Sequence, residues 1–288
     1  MQSKNPVFAR RDEFAGANQQ AAPYGQSQQP YAGQQPYAGQ APQYGSPEHL
    51  GQMYKAPPAG PAQTGRMTYD DVVIRTGTLF AVLLAAAAAT WFFVTDSPGL
   101  VFPLWIGSML VGLGMGLFIS FSKTIRPPLV LAYAAVEGVF LGSISFAFER
   151  LLGYDGIVFQ AVLATMGAFG AMLLAYKTKT IRATPKFTRF LIIATIGYAV
   201  FSMFNFIAVM AFGVTSVYQM GLLGIGISIL GVGLASLNLI LDFDHIERGV
   251  NSGVPQQYSW IAAFGLLVTL VWLYIEMLRL IALLRGND

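Results

Sequence analysis

Seven stretches of this chain are each apolar over about twenty residues, the length of helix needed to cross a hydrocarbon core. They run roughly over 74–94, 100–122, 128–148, 157–176, 188–212, 218–241 and 259–284. No other feature narrows the possible folds so far. Composition agrees: 55% of the residues are hydrophobic and 11% charged, against about 25% charged in a soluble domain. The expectation is an all-α integral membrane protein with seven transmembrane helices, formed by residues 67–288. The fifth and sixth spans are divided only by "GVTSVYQ".

Residues 1–66 have a different character. They are rich in Gln, Pro, Tyr, Ala and Gly, and "QQPYAGQQPYAGQAPQYG" repeats loosely, with Tyr24, Tyr31, Tyr37 and Tyr44 at intervals of six or seven. So little aliphatic surface cannot offset the entropy of ordering, and the segment reads as a disordered tail. Its role is either spacing and solubility or tyrosine-based interaction. No apolar core follows Arg10 and Arg11, so it is not a signal peptide. Order is expected to begin at "MTYDDVVIRTG", where Thr68 and Asp71 have the spacing of an N-cap pair.

Basic residues suggest the orientation. The loop after span two carries Lys123 and Arg126, and the loop after span four carries Lys177, Lys179, Arg182, Lys186 and Arg189. The alternate loops are nearly bare. The tail, those two loops and the segment "HIERG" are therefore expected on the cytoplasmic side of the cell membrane, and the C-terminus outside. Small residues such as Gly112 and Gly116, or Gly221, Gly224, Gly226, Gly231 and Gly233, suit close helix packing.

Charges at membrane depth are costly, about 2.5–3.5 kcal/mol each at the bilayer centre on insertion scales, and so point to function. Glu137 lies in the middle of the third span; it is either a protonated carboxyl gluing two helices or a protonation site and ion ligand. Glu276 and Arg279 in the last span are three residues apart and suited to pair with each other. Asp242 closes the sixth span and is the deepest acid of "LDFDHIERG". Asp244, Glu247 and Arg248 are expected to form a solvated helix end, with His245 in the following loop. The ionisable residues singled out for an ion path or pH response are Asp242, Glu137, Asp244 and Glu276, with Arg279, Arg126 and Thr269 in support.

Several chemistries are excluded. Cysteine is absent and histidine occurs only at 49 and 245, so no multi-histidine zinc site can form. No H-E-x-x-H or G-x-S-x-G motif occurs, and no nucleophile–base pair for intramembrane hydrolysis is evident. The chain is not expected to be an enzyme or to need a cofactor. No basic face outside the apolar segments suggests a nucleic-acid partner.

"LNLILDFDHIERGVNSGVPQQYSWIAAFGLLVTLVWLYIEMLRLIALL" resembles the C-terminal signature of the transmembrane Bax inhibitor motif family. "PPLVLAYAAVEGVFLGSIS" looks like that family's third span. The resemblance covers about residues 68–285. It implies a bundle with the last helix central, wrapped by the other six, and a calcium leak controlled by protonation. In the family a pair of aspartates, one ending the sixth span and one in the last, shares a proton and gates the path. Asp242 matches the first. Thr269 stands where the second would be, so the pair is not carried over intact. Glu137 is a candidate substitute partner for Asp242, which requires the two carboxyls to lie close together. Asp242 is also the candidate for weak, water-assisted calcium contact, since two carboxylates cannot complete a calcium shell.

Two functions compete. One is a pH-sensitive cation (calcium) leak channel gated by buried carboxyl groups, with the bilayer as its surroundings and calcium as transported ion. The other is a non-conducting membrane regulator that binds other membrane proteins, such as an AAA-type membrane protease.

Overall fold

A computed structural model describes residues 65–286 of the chain. The expectation of a disordered tail falls on residues outside that range, apart from its last two. Seven helices follow one another: α1 (Tyr69–Asp96), α2 (Val101–Phe121), α3 (Pro127–Phe146), α4 (Ile157–Lys177), α5 (Pro185–Phe212), α6 (Leu222–Ser252) and α7 (Ser259–Arg285). Each is long and apolar enough to cross a membrane. The protein is an all-α, seven-helix, multi-pass membrane protein.

Local chemistry sets the helix ends. Thr68 and Asp71 form a reciprocal capping box at α1, with Asp71 N–H donating to Thr68 Oγ1 at 3.1 Å and Thr68 N–H to Asp71 Oδ2 at 3.0 Å. Proline opens α3 and α5, where a missing N–H costs nothing. The boundary between the fifth and sixth spans is a real break. Gly213 ends α5 at φ 62°, a short 3-10 turn covers Val217–Gln219, and α6 begins at Leu222 rather than 218.

The largest departure from expectation lies at the other end of α6. The helix does not stop near 241 but runs to Ser252, so Asp242 is about three turns inside it and His245 is helical, not in a loop. The apolar stripe continues through Phe243 and Ile246, which are buried among Met67, Val72 and Leu266. Asp244 and Arg248 pair on the outward face at 2.6 Å. Gly253, at φ 64°, then ends the helix in the left-handed conformation that glycine adopts without strain. Helix packing has overridden the polarity of the sequence.

α7 is central and the most buried span, with α6, α1, α4 and α3 packed closest to it. α3 is nearly as buried and shares the middle of the bundle. α2 lies chiefly on α3, and α5 chiefly on α6, so the wrapping of α7 is not shared equally by six helices. The α1–α3 contact is the tightest. A Cβ on Gly138 would stand 2.4 Å from the Leu83 carbonyl oxygen, and one on Gly142 2.5 Å from that of Ala87. The alanine run of α1, Ala85–Ala89, thus meets a glycine face of α3, and the two backbones touch.

The turn between α6 and α7 is tied to the start of α1. Met67 N–H donates to the Val254 carbonyl at 2.8 Å, and Gln256 N–H to that of Gly65 at 2.8 Å. Gln256 Nε2 reaches Asp71 Oδ1 at 2.6 Å, and Arg75 returns a bond to the Gln256 carbonyl at 2.5 Å.

Candidate functional site

α6 and α7 run antiparallel, and the seam between them holds polar groups at two levels. At the first, the Asp242 carboxyl faces Gly265, whose hypothetical Cβ would stand 3.6 Å from Oδ1, and the Thr269 hydroxyl lies alongside. Asp242 Oδ2 is buried and accepts no hydrogen bond. A Cβ at 265 would meet the acid in ordinary van der Waals contact, so the carboxyl lies directly against the backbone of α7.

The second level is eleven residues along α6, from 242 to 231, which is about 16 Å at the helical rise. Here Glu276, only 2% exposed, accepts from Tyr198 Oη at 2.9 Å, Trp272 Nε1 at 3.1 Å and Arg279 Nη1 at 2.9 and 3.1 Å. A Cβ at Gly231 would lie 2.4 Å from Tyr198 Oη and 2.7 Å from Glu276 Oε2, so the knot fills the space glycine vacates. The Arg279 guanidinium sits 4.1 Å above the Tyr218 ring, and Tyr218 Oη is bonded to Ser202 at 2.8 Å. A buried charge is tolerated when paired and fully hydrogen-bonded, and Glu276 is both. Between the two levels the seam is packed with Leu239, Leu270 and Leu273, all buried.

The other residues singled out from the sequence lie elsewhere. Glu137 is half-buried in α3, next to Tyr133, and its carboxyl stands against Gly112 of α2. It is not brought together with Asp242: one acid faces α2 and the other α7. The sequence-based pairing of the two is therefore corrected, because the glycine that accommodates Glu137 belongs to α2. Asp244 is engaged with Arg248 away from the seam. Arg126 is exposed at the start of α3, and its side chain makes no hydrogen bond or ion pair among the described residues. Thr269 is 8% exposed and lies beside Asp242. Among the described residues no cluster of three or more His, Asp or Glu side chains could hold a metal ion. One carboxylate and one hydroxyl offer calcium only transient contact.

Two elements of this site escaped the sequence reading. Tyr198 and Gly231 complete the knot around Glu276, yet the tyrosine reads as one aromatic among many and the glycine as packing.

Residues 5–286 match the family described as Bax inhibitor 1 like. The chain belongs to this family. No curated protein matches it. The family match begins at residue 5 and so takes in most of the Gln/Pro/Tyr-rich stretch that the resemblance over 68–285 leaves outside. In this Bax inhibitor 1-like chain the acid of α6 faces a threonine of α7, while the acid of α7 is neutralised one level away by Arg279.

Proposed function

We propose that this Bax inhibitor 1-like protein is a pH-sensitive cation leak of the cell membrane, with calcium as a transported ion and Asp242 as the gate. The observation that supports the reading is the Asp242 Oδ2 atom, buried in the α6–α7 seam with no donor. An unsatisfied buried acceptor costs about 1–3 kcal/mol, more for a charged group. A proton or a passing cation relieves that cost, so the seam at this level has two states, one neutral and closed and one charged and drawing in water or cations.

In the closed form the leucines between the two polar levels seal the seam. Ionisation of Asp242 loosens the contact between α6 and α7 at Gly265 and admits ions toward the Glu276–Arg279 knot. The protein is oriented with its N-terminus in the cytoplasm, as the basic loops indicate.

The test is calcium flux into liposomes containing the full chain, measured against pH for wild type and Asp242→Asn. Flux from wild type should rise with pH as Asp242 ionises, and the Asn variant should be low at every pH. An Asn variant with the wild-type profile overturns the gate. Absence of wild-type flux at all pH values overturns the leak itself and leaves the non-conducting regulator.

A further inference from the structure

A groove of about 1080 Å³ opens between the first turns of α1 and the last turns of α4, floored by α6 and α7. That is slightly above the range of about 300–1,000 Å³ for small-molecule pockets. Val72, Val73, Phe169, Leu173, Phe243 and Leu266 line it. Val73 is 68% exposed and Leu173 42%, so the apolar walls open sideways to the surroundings of the bundle rather than closing on each other.

Its rim carries three cations, Lys177, Lys179 and Arg182. None has an ion pair among the described residues, since the two acids at the rim are otherwise engaged. Asp244 is paired with Arg248 at 2.6 Å, and Glu247 accepts from the Tyr176 hydroxyl. The rim therefore carries net positive charge above an apolar cleft, three cations against the one carboxylate, Glu247, that no cation pairs among the described residues.

Thr76 of α1 borders the groove. Thr78, Thr90 and Thr95 of the same helix each return their hydroxyl to the carbonyl four residues earlier, at 2.8 Å. Thr76 Oγ1, at the groove, is buried and bonded to nothing. It sits about two turns below the start of α1, beneath the basic rim.

We propose that this groove is a binding site for an anionic phospholipid. The acyl chains lie along the apolar walls and the phosphate meets Lys177, Lys179 and Arg182. The match is one of charge and of depth: basic residues gather at the headgroup, and apolar walls continue beneath. The proposal rests on the groove alone and is independent of whether the protein conducts ions.

The test is native mass spectrometry of the full chain released from detergent micelles doped with equal amounts of phosphatidylglycerol and phosphatidylcholine of the same chain length. Wild type should retain the anionic lipid preferentially. The triple variant Lys177→Gln, Lys179→Gln, Arg182→Gln should lower that preference by about tenfold to a hundredfold, at roughly tenfold or less per cation. A control, Lys123→Gln with Arg126→Gln, removes basic residues from another loop and should leave the preference unchanged. Val73→Trp, which fills the cleft from an exposed position, should reduce retention of both lipids.

An unchanged preference in the triple variant overturns the site, as does an equal loss in the control. If Val73→Trp splits a dimer and leaves lipid retention unaltered, the groove belongs to a second copy of the chain and the lipid proposal fails.

Discussion

Tyr198 of α5 donates its hydroxyl hydrogen to Glu276 of α7 at 2.9 Å, past Gly231 of the helix that lies between them. This bond and the packing of the Tyr198 ring on Trp272 join α5 to the centre of the bundle, although α5 packs chiefly on α6. Tyr198→Phe should lower stability by about 1–3 kcal/mol, since it leaves Glu276 with fewer donors. Glu276→Gln should cost more, about 3–5 kcal/mol, because Arg279 then loses its carboxylate partner in a half-buried place. Thermal unfolding in detergent should rank wild type, Tyr198→Phe and Glu276→Gln in that order.

The contact between α1 and α3 predicts a sharp contrast among glycines. Gly138→Ala and Gly142→Ala each push a methyl group against a backbone carbonyl that cannot turn aside, and should cost about 1–3 kcal/mol or more. Gly114 of α2 has nothing within 4 Å of its would-be Cβ. Gly114→Ala should be neutral or slightly stabilising, as alanine is the better helix former. Unfolding temperatures of the three variants in one detergent check the pattern.

Thr269→Asp places a second carboxyl beside Asp242. Two acids this close titrate as a coupled pair, so the single pH-dependent rise in flux expected for wild type should divide into two steps. The double variant Thr269→Asp, Asp242→Asn should return to one step. A Thr269→Asp profile superimposable on wild type would mean that position 269 does not sense the gate.

The ties between the α6–α7 turn and the start of α1 depend heavily on Gln256. Gln256→Ala removes the bond to Asp71 Oδ1 and keeps the backbone bonds, at a cost of about 1 kcal/mol. Hydrogen exchange should quicken at residues 65–71 and 254–258 and remain unchanged at the α1–α3 contact. Faster exchange throughout the bundle would show instead that the tie is part of the global fold.

Much of the architecture was legible because membrane spans announce themselves by length and apolarity, and those signals are local. The number of helices, the Thr68–Asp71 cap and the break at "GVTSVYQ" all follow from neighbouring residues. The length of α6 did not, because its last turns are polar on one face and are held by Met67, Val72 and Leu266, which are far away in sequence. Partnerships between helices were equally hidden. The motif match put Thr269 opposite Asp242, but the glycines decided where Glu137 went: Gly112 admits it on the α2 side. The close α1–α3 seam was missed for a similar reason. Gly138 and Gly142 mean little until the alanine run that meets them is known.

The uninterrupted course of α6 has a mechanical consequence. Its 31 residues make a rod about 46 Å long, longer than the roughly 30 Å of hydrocarbon it crosses. Asp242 and the groove-lining Phe243 and Glu247 are carried on that rod within about a turn and a half of each other, with no hinge between them. A tilt started at the acid is delivered to the floor of the cleft, and a molecule wedged in the cleft leans back on the acid. By thermodynamic reciprocity, whatever free energy a cleft occupant adds to or takes from protonation at Asp242, protonation returns in full to that occupant's affinity.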